Sequence, residues 1–333
     1  MPRLRRVSPD EPGYARRRRG RGWSYLDVDG TPLREPEELA RCRRLVVPPA
    51  WRDVWICRYP DGHLQAFGLD DAGRGQYLYH PAWTERRARR KHDHVLAVAR
   101  RLPAARRVVT RDLRLPGMPR ERVLALAFRL LDLAYFRSGS ELYARQRGSY
   151  GLATIRKEHV RVSRDGTVRF VYPAKSGQVR DVSVDDPEVA AAVSTLRRRR
   201  DGEGDELLAW REEPSRAGEH AVWHDVTSAD VQRYVRERLG EDATPKDFRT
   251  WHATVLAARA LADAGPPPGS RRARAAVVAA TVREVADELG NTPAVARSSY
   301  IDPRLVDLWE RGTTIGPTRT SAAAERAVLE LLA

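Results

Sequence analysis

The 333-residue chain holds only two cysteines, Cys42 and Cys57, and no Cys-x-x-Cys pair, so neither a disulfide framework nor a cysteine zinc site is indicated. No stretch approaches the roughly 20 apolar residues of a membrane-spanning helix, and the arginine-rich N-terminus lacks the apolar segment of a signal peptide. A soluble, cytoplasmic protein is expected, not a membrane protein. Acidic residues nowhere cluster as a pair of magnesium ions would require. The metal-like spacings are His92-Asp93-His94 and His220/His224, and both read as solvated surface. No metal and no other cofactor is therefore expected. Negative charge is short overall: 45 Asp+Glu stand against 60 Lys+Arg, a formal net charge of +15. That excess points to a polyanionic partner, nucleic acid before a membrane surface.

Residues 1–22, MPRLRRVSPDEPGYARRRRGRG, mix an arginine run with proline and glycine and read as a mobile basic arm that touches phosphates. From Trp51 to Pro81 short apolar runs are broken by turns: VWICRY, PDG, HLQAFG, DDAGRG, QYLYHP. These predict a small antiparallel sheet, the centre of an N-terminal β-rich domain over 23–90. TERRARRKHDH (84–94) is charged and poor in apolar residues, which suits an interdomain linker with a boundary near residue 90. Helical patterns dominate 91–333. The fold class is thus α+β, a small antiparallel sheet domain followed by a mainly α-helical domain that contains a three-stranded β-meander.

In that second part, MPRERVLALAFRLLDLAYF (118–136) is almost continuously apolar after Arg122 and suits the centre of a helical core. Arg137 follows at once; an arginine leaving a buried helix is either neutralised by a carboxylate or held ready for an anion. HVRVSRDGTVRFVYPAKSGQVRDVSV (159–184) alternates, with Asp165-Gly166 as one turn and AKSGQ as the next, which makes a meander with Lys175 at its second tip. YPAKS is no P-loop, because Ala174 replaces the glycine before the lysine and a hairpin is the wrong context. In DATPKDFRTWHATVLAARALADAG, Thr244, Pro245 and Asp247 form a helix start of capping-box type. Phe248, Trp251, Val255 and Ala258 line one face of that helix, and Arg249, His252 and Leu256 share another. A surface loop is expected at 266–275. Val278, Val282, Val285 and Leu289 then mark a helix ending at Gly290, and Thr292-Pro293 start one carrying Tyr300, with Asn291 in the joint.

Arg137, Lys175, Arg249, Asn291 and Tyr300 all fall near element ends. A lone tyrosine is most simply an amphipathic-helix residue with its hydroxyl in water. The other four give it a use. A tyrosine hydroxyl, of pKa about 10 in water, attacks a phosphodiester if positive charge stabilises its anion and the pentacoordinate phosphorus. Two arginine forks can hold the non-bridging oxygens, an asparagine amide can add a donor, and a lysine can protonate the departing sugar oxygen. None of these steps needs a metal.

VVPPAWRDVWIC, HLQAFG, GRGQYLYHP, FRSGSELYARQRGSYGLATIRKEHV, FVYPAKSGQ, KDFRTWHAT and LGNTPAVARSSYIDPRLV, in that order from about Leu45 to Arg311, make the chain resemble a type IB DNA topoisomerase of the short bacterial and viral branch. The resemblance implies two lobes closing as a C-shaped clamp on double-stranded DNA, with Tyr300 as the nucleophile of a 3′-phosphotyrosyl intermediate. It implies that Arg137 and Arg249 clamp the scissile phosphate and that Lys175 is the general acid, assisted by Lys246. Asn291 stands where many relatives have histidine; an amide can donate the same hydrogen bond but cannot become cationic. Ala174, Gly75 and His252 are further departures from the family pattern, and none removes a reacting group.

The same resemblance makes Gln76, Tyr77 and Tyr79 candidates for major-groove contacts, and Tyr143 a further DNA contact. Strand alternation puts Tyr77 and Tyr79 on one face and Gln76 on the other. The implied protein is a monomer that relaxes supercoils of both signs without ATP, at the nucleoid. A tyrosine recombinase would share the chemistry, but usually carries histidine where Lys246 stands and has a helical N-terminal domain. A non-enzymatic DNA-binding protein would explain the charge but not the reactive set.

Overall fold

The computed structural model describes residues 3–199, 204–214 and 220–333. They divide into two compact units, Met1–Lys91 and His92–Ala333. In the first, β1 (Tyr14–Arg19), β2 (Gly22–Leu26), β3 (Arg52–Ile56), β4 (Leu64–Leu69) and β5 (Gly75–Tyr79) form one antiparallel sheet in the order β2-β1-β3-β4-β5, with α1 (Pro36–Arg44) between β2 and β3. Leu33, Cys42, Val47, Val54, Ile56 and Ala66 fill its core. Both cysteines are free and buried, and burial pushes the Cys42 thiol up to about 11, so they act as small apolar packing groups.

The basic segment expected to be a mobile arm is instead folded into this sheet, although residues 1 and 2 lie outside the described residues. β1 pairs with β2 from Ala15 to Arg19 and with β3 at Tyr14 and Ala15. Arg16 holds it down: its guanidinium donates to the carbonyls of Val47 (2.7 Å), Pro48 (2.9 Å) and Trp51 (2.9 Å) and lies 4.0 Å above the Trp23 ring. Further upstream, Val7 is buried and Arg5 exchanges backbone hydrogen bonds with Asp61 and His63. Arginines at the remaining β1 positions stay in water, so an almost wholly charged segment can still be a strand.

The expected linker at 84–94 is also helical, because α2 runs from Pro81 to Leu113 without interruption. Its charges occupy one side, while His92, Val95, Leu96, Ala99, Leu102, Ala105 and Val109 recur at helical spacing and are buried. His92-Asp93-His94 is accordingly not solvated surface. His92 is 3% exposed and faces Asp302, and His94 sits between Asp242 (3.1 Å) and Asp247 (3.3 Å).

The second unit contains α3 (Arg120–Ala134), α4 (Glu141–Arg147), β6 (Val160–Val162), β7 (Val168–Pro173), β8 (Val179–Val184), α5 (Pro187–Arg197), β9 (Ala209–Glu212), β10 (Val222–Asp225), α6 (Ser228–Leu239), α7 (Pro245–Asp263), α8 (Arg271–Leu289), α9 (Pro293–Ser299), α10 (Arg304–Glu310) and α11 (Ser321–Leu331). The meander has the order β6-β7-β8, and β9 pairs with β10 in a small extra ribbon. His224 is therefore a strand residue, hydrogen-bonded to Glu212 at 2.8 Å, rather than half of a helical pair. The loop expected over 266–275 stops at Ser270, whose hydroxyl accepts from the Ala273 N–H and caps α8. α3 crosses the middle of the unit, with Phe128 edge-on to Phe248 of α7 at 4.9 Å. Among the described residues no helix is long and apolar enough to cross a membrane.

One buried charge network joins four helices of this unit. Arg106 of α2 donates to Asp132 of α3 (2.7 and 2.9 Å) and to Glu325 of α11 (2.7 and 2.8 Å), while His252 of α7 lies 2.9 Å from the other side of Asp132. Burial alone would raise the Asp132 carboxyl, but His252 and Arg106 outweigh it and hold it well below the usual carboxylate range. A depressed pKa means that this charge favours folding above the unfolded value of about 4, and that the benefit is lost as the pH falls below it. Asp132→Ala, which leaves Arg106 and His252 short of their acceptor, should destabilise the protein by about 3–5 kcal/mol in denaturant unfolding at neutral pH. A loss below about 1 kcal/mol would place Asp132 with ordinary surface pairs.

Candidate active site

Helix α8 ends at Gly290, whose φ of +60° reverses the chain, and the Asn291 N–H turns back onto the Ala286 carbonyl at 2.8 Å. A helix C-terminus leaves its last carbonyls without intrahelical donors. Here three successive ones each receive an arginine: Arg180 of β8 donates to Glu288 (2.7 Å), Arg249 of α7 to Leu289 (2.9 Å) and Arg137 to Gly290 (3.2 Å). The partial negative charge at that helix end offsets part of their mutual repulsion. Arg249 also donates to the carbonyl of Tyr135. Tyr135 closes α3 in the left-handed conformation (φ 56°, ψ 35°), so the same turn that presents its carbonyl to Arg249 launches Arg137 two residues on.

Arg249 is 3% exposed, and burial together with Arg137 lowers its pKa to about 10. Few arginines are held so unfavourably without a carboxylate partner. The start of α7 is fixed as the sequence predicts: the Asp247 carboxylate accepts from the Thr244 N–H (2.7 Å) and hydroxyl (2.9 Å). The position before Asp247 carries Lys246, exposed, with its ammonium 6.0 Å from the centroid of the Tyr300 ring.

Tyr300 is the first residue beyond the short helix α9, whose start is capped by Thr292. It is 9% exposed, with the Arg249 guanidinium 5.1 Å from its ring centroid. Burial raises the phenol, yet the Arg249 charge, then Arg137 and Lys246, outweigh it and bring the hydroxyl below its ordinary pKa. The Asp302 that follows is 1% exposed and is gripped by Arg304 (2.7 Å), which also reaches Asp93 of α2 (2.9 Å). That clasp explains the residues after the tyrosine: Asp302-Pro303-Arg304 pin its C-terminal side to α2.

Asn291 accepts from Arg137 through Oδ1 at 2.5 Å, while its amide nitrogen is buried with no hydrogen-bond partner among the described residues. The Arg249 Nε is in the same condition. Two buried donors beside a positively surrounded phenol suit a tetrahedral oxyanion such as a phosphodiester.

Arg137, Arg249, Asn291 and Tyr300 are therefore brought together, with Lys246 at their edge. Lys175 is not part of the cluster; it is exposed at the β7–β8 tip, in a single turn closed by the Ala174 N–H donating to the Gln178 carbonyl at 2.7 Å. In the first unit, Gln76, Tyr77 and Tyr79 lie on the edge strand β5. Tyr77 is 52% exposed, its ring stacked 6.1 Å from the half-buried Tyr79, and the Gln76 amide is engaged with Asp70 at 2.9 Å. Tyr143 on α4 is 51% exposed, with Arg147 5.3 Å from its ring centroid. Arg180 was not singled out from the sequence. The signal lay in the alternation of β8, where Arg180 shares a face with Val182 and Val184, an odd register for a cation without a partner.

Residues 81–308 match the family model described as the eukaryotic DNA topoisomerase I catalytic core, and residues 22–70 match the bacterial DNA topoisomerase IB N-terminal domain. Over 300 residues, 90% of this chain and 88% of the relative, the sequence is 28% identical to a DNA topoisomerase 1B of Acanthamoeba polyphaga mimivirus. β1, with its arginine run, lies outside the matched N-terminal segment.

The electrostatics can be read directly. Tyrosinate absorbance of the protein minus that of Tyr300→Phe should show Tyr300 ionising below the ordinary phenol value of about 10. Arg249→Ala should raise that pKa, since burial then meets less opposing charge. A transition at or above the ordinary value in the parent protein would contradict the assignment.

Proposed function

The chain belongs to the type IB branch of the DNA topoisomerase I family, and from that premise we propose that Tyr300 is its nucleophile and that Arg137 and Arg249 are its phosphate clamp. The enzyme relaxes supercoiled duplex DNA by cutting one strand transiently, letting the other end turn, and resealing. The observation that carries the residue assignment is the buried Tyr300 hydroxyl with its lowered pKa beside Arg249 and Arg137.

In the forward step the Tyr300 oxygen attacks the scissile phosphorus while its proton passes to water. Arg137 and Arg249 keep their α8 carbonyls through one nitrogen each and turn their remaining N–H groups to the non-bridging oxygens. The free Asn291 amide donates to the same oxyanion, and its Oδ1 holds Arg137 in place, which an imidazole in its donor role would do less simply. The P–O5′ bond breaks, Lys175 supplies the proton to the leaving 5′ oxygen, and a 3′-phosphotyrosyl bond remains. Lys246, near the Tyr300 ring, supports the phenolate and the proton transfer. Resealing is the reverse, with the 5′ hydroxyl as nucleophile, so no energy source is consumed.

On the DNA, the exposed Tyr77 ring and Tyr143 supply contact surface, Tyr79 backs Tyr77, and Gln76 reaches a base edge after exchanging its Asp70 contact. The protein works as a monomer, in the compartment that holds the nucleoid.

Tyr300→Phe should bind duplex DNA within about threefold of the parent, because affinity comes mainly from phosphate contacts spread along the duplex. It should form no protein–DNA adduct when denatured in mid-reaction. Parent levels of adduct in the mutant would remove Tyr300 from the mechanism.

A further inference from the structure

Lys175 presents a mechanical difficulty, since it is assigned the proton-transfer step yet stands exposed at a hairpin tip. β8 is an edge strand, paired only with β7, so the tip needs an anchor outside the meander. Arg180 lies five positions beyond Lys175 and opposite Tyr172 of β7, and its guanidinium donates to Glu288 on α8 at 2.7 Å. It is half-buried and packs on the reversal that precedes Asn291: a Cβ at Gly290 would meet the Arg180 Cδ at 3.1 Å and Nη1 at 3.2 Å. Burial lowers the Arg180 pKa although Tyr172 and the Glu288 carboxylate oppose the shift, and its hydrogen bond goes to the Glu288 backbone carbonyl and not to the carboxylate.

We propose that Arg180 is a positioning residue, a latch that registers the Lys175 hairpin against the α8–α9 joint carrying Asn291 and Tyr300. The inference rests on Lys175 being the general acid. It explains why a cation occupies an apolar register of β8: its stem covers the joint while its head reads one helix-terminal carbonyl. Neutral residues of similar size could fill the space. Apolar ones such as methionine could not donate to the Glu288 carbonyl, and the hairpin would then lose the contact that sets the height of Lys175 over the phosphate. Arg180 touches neither substrate nor reacting atoms; its effect is expressed through the lysine.

The test uses single-turnover cleavage of a duplex with its ordinary 5′-bridging oxygen and of one in which sulfur replaces that oxygen, a leaving group that needs no proton. Arg180→Ala should cut the oxygen substrate about 10- to 100-fold more slowly, as expected for a misplaced catalytic group. On the sulfur substrate it should recover to within about threefold of the parent, with DNA affinity unchanged throughout. Arg180→Lys, which keeps one donor for Glu288, should retain most of the activity. In a Lys175→Ala background, Arg180→Ala should add no further loss. Equal slowing on both substrates, additive losses in the double mutant, or parent rates in Arg180→Ala would each overturn the latch. If Lys175→Ala alone gains nothing from sulfur, the general-acid assignment falls instead, and additivity or its absence in the double mutant still decides whether Arg180 acts through Lys175.

Discussion

The catalytic unit depends on a concentration of positive charge in which, among the described residues, no guanidinium forms an ion pair with a carboxylate. Three guanidiniums converge on the end of α8, and what holds them is a helix terminus: three successive carbonyls, each accepting one N–H. A carboxylate would bind such arginines more tightly, but it would neutralise the field that the phenol and a phosphate require. Backbone carbonyls fix the direction of each fork and leave its charge in place. The cost appears in Arg249, whose pKa is brought down to about 10, and the return in Tyr300, whose hydroxyl is brought below its ordinary value.

A second, paired set of charges adjoins α7. Asp132, Glu325 and Arg106 meet beneath α7, and His252, one turn beyond Arg249, closes that network. Tyr135 joins the two sets, since its ring packs 4.9 Å from His252 while its carbonyl accepts from Arg249. The buried pairing of charges thus supports the helix that carries the unpaired one. Only four lysines occur in the chain, and two of them, Lys175 and Lys246, belong to the proposed reaction; the other 56 of the 60 Lys+Arg residues are arginines.

Much of this was legible in the sequence because it is local. The Thr244-Pro245-Asp247 helix start, the reversal at Gly290 and the restart at Thr292-Pro293 place Arg249, Asn291 and Tyr300 within a residue of where they stand. What could not be read depends on partners distant in the chain. The arginine run is a strand because Arg16 finds the carbonyls of Val47, Pro48 and Trp51, more than thirty residues away. Residues 84–94 are helix because a sparse apolar stripe beginning at His92 is buried, while the charge density suggested a linker. Arg180 was passed over because alternation identifies a face and not what that face meets.

The central claim is that arginine and lysine charge, held by backbone carbonyls, activates a tyrosine for reversible exchange of one phosphodiester for another. Bond energy is conserved in the adduct, rotation about the intact strand is driven by torsion alone, and rotation has no intrinsic sign. The most direct measurement is plasmid relaxation with excess EDTA and no ATP, run in parallel on positively and negatively supercoiled DNA. The account predicts that both relax, in linking-number steps of one. An absolute requirement for a divalent metal or ATP, or relaxation of negative supercoils alone, would contradict it.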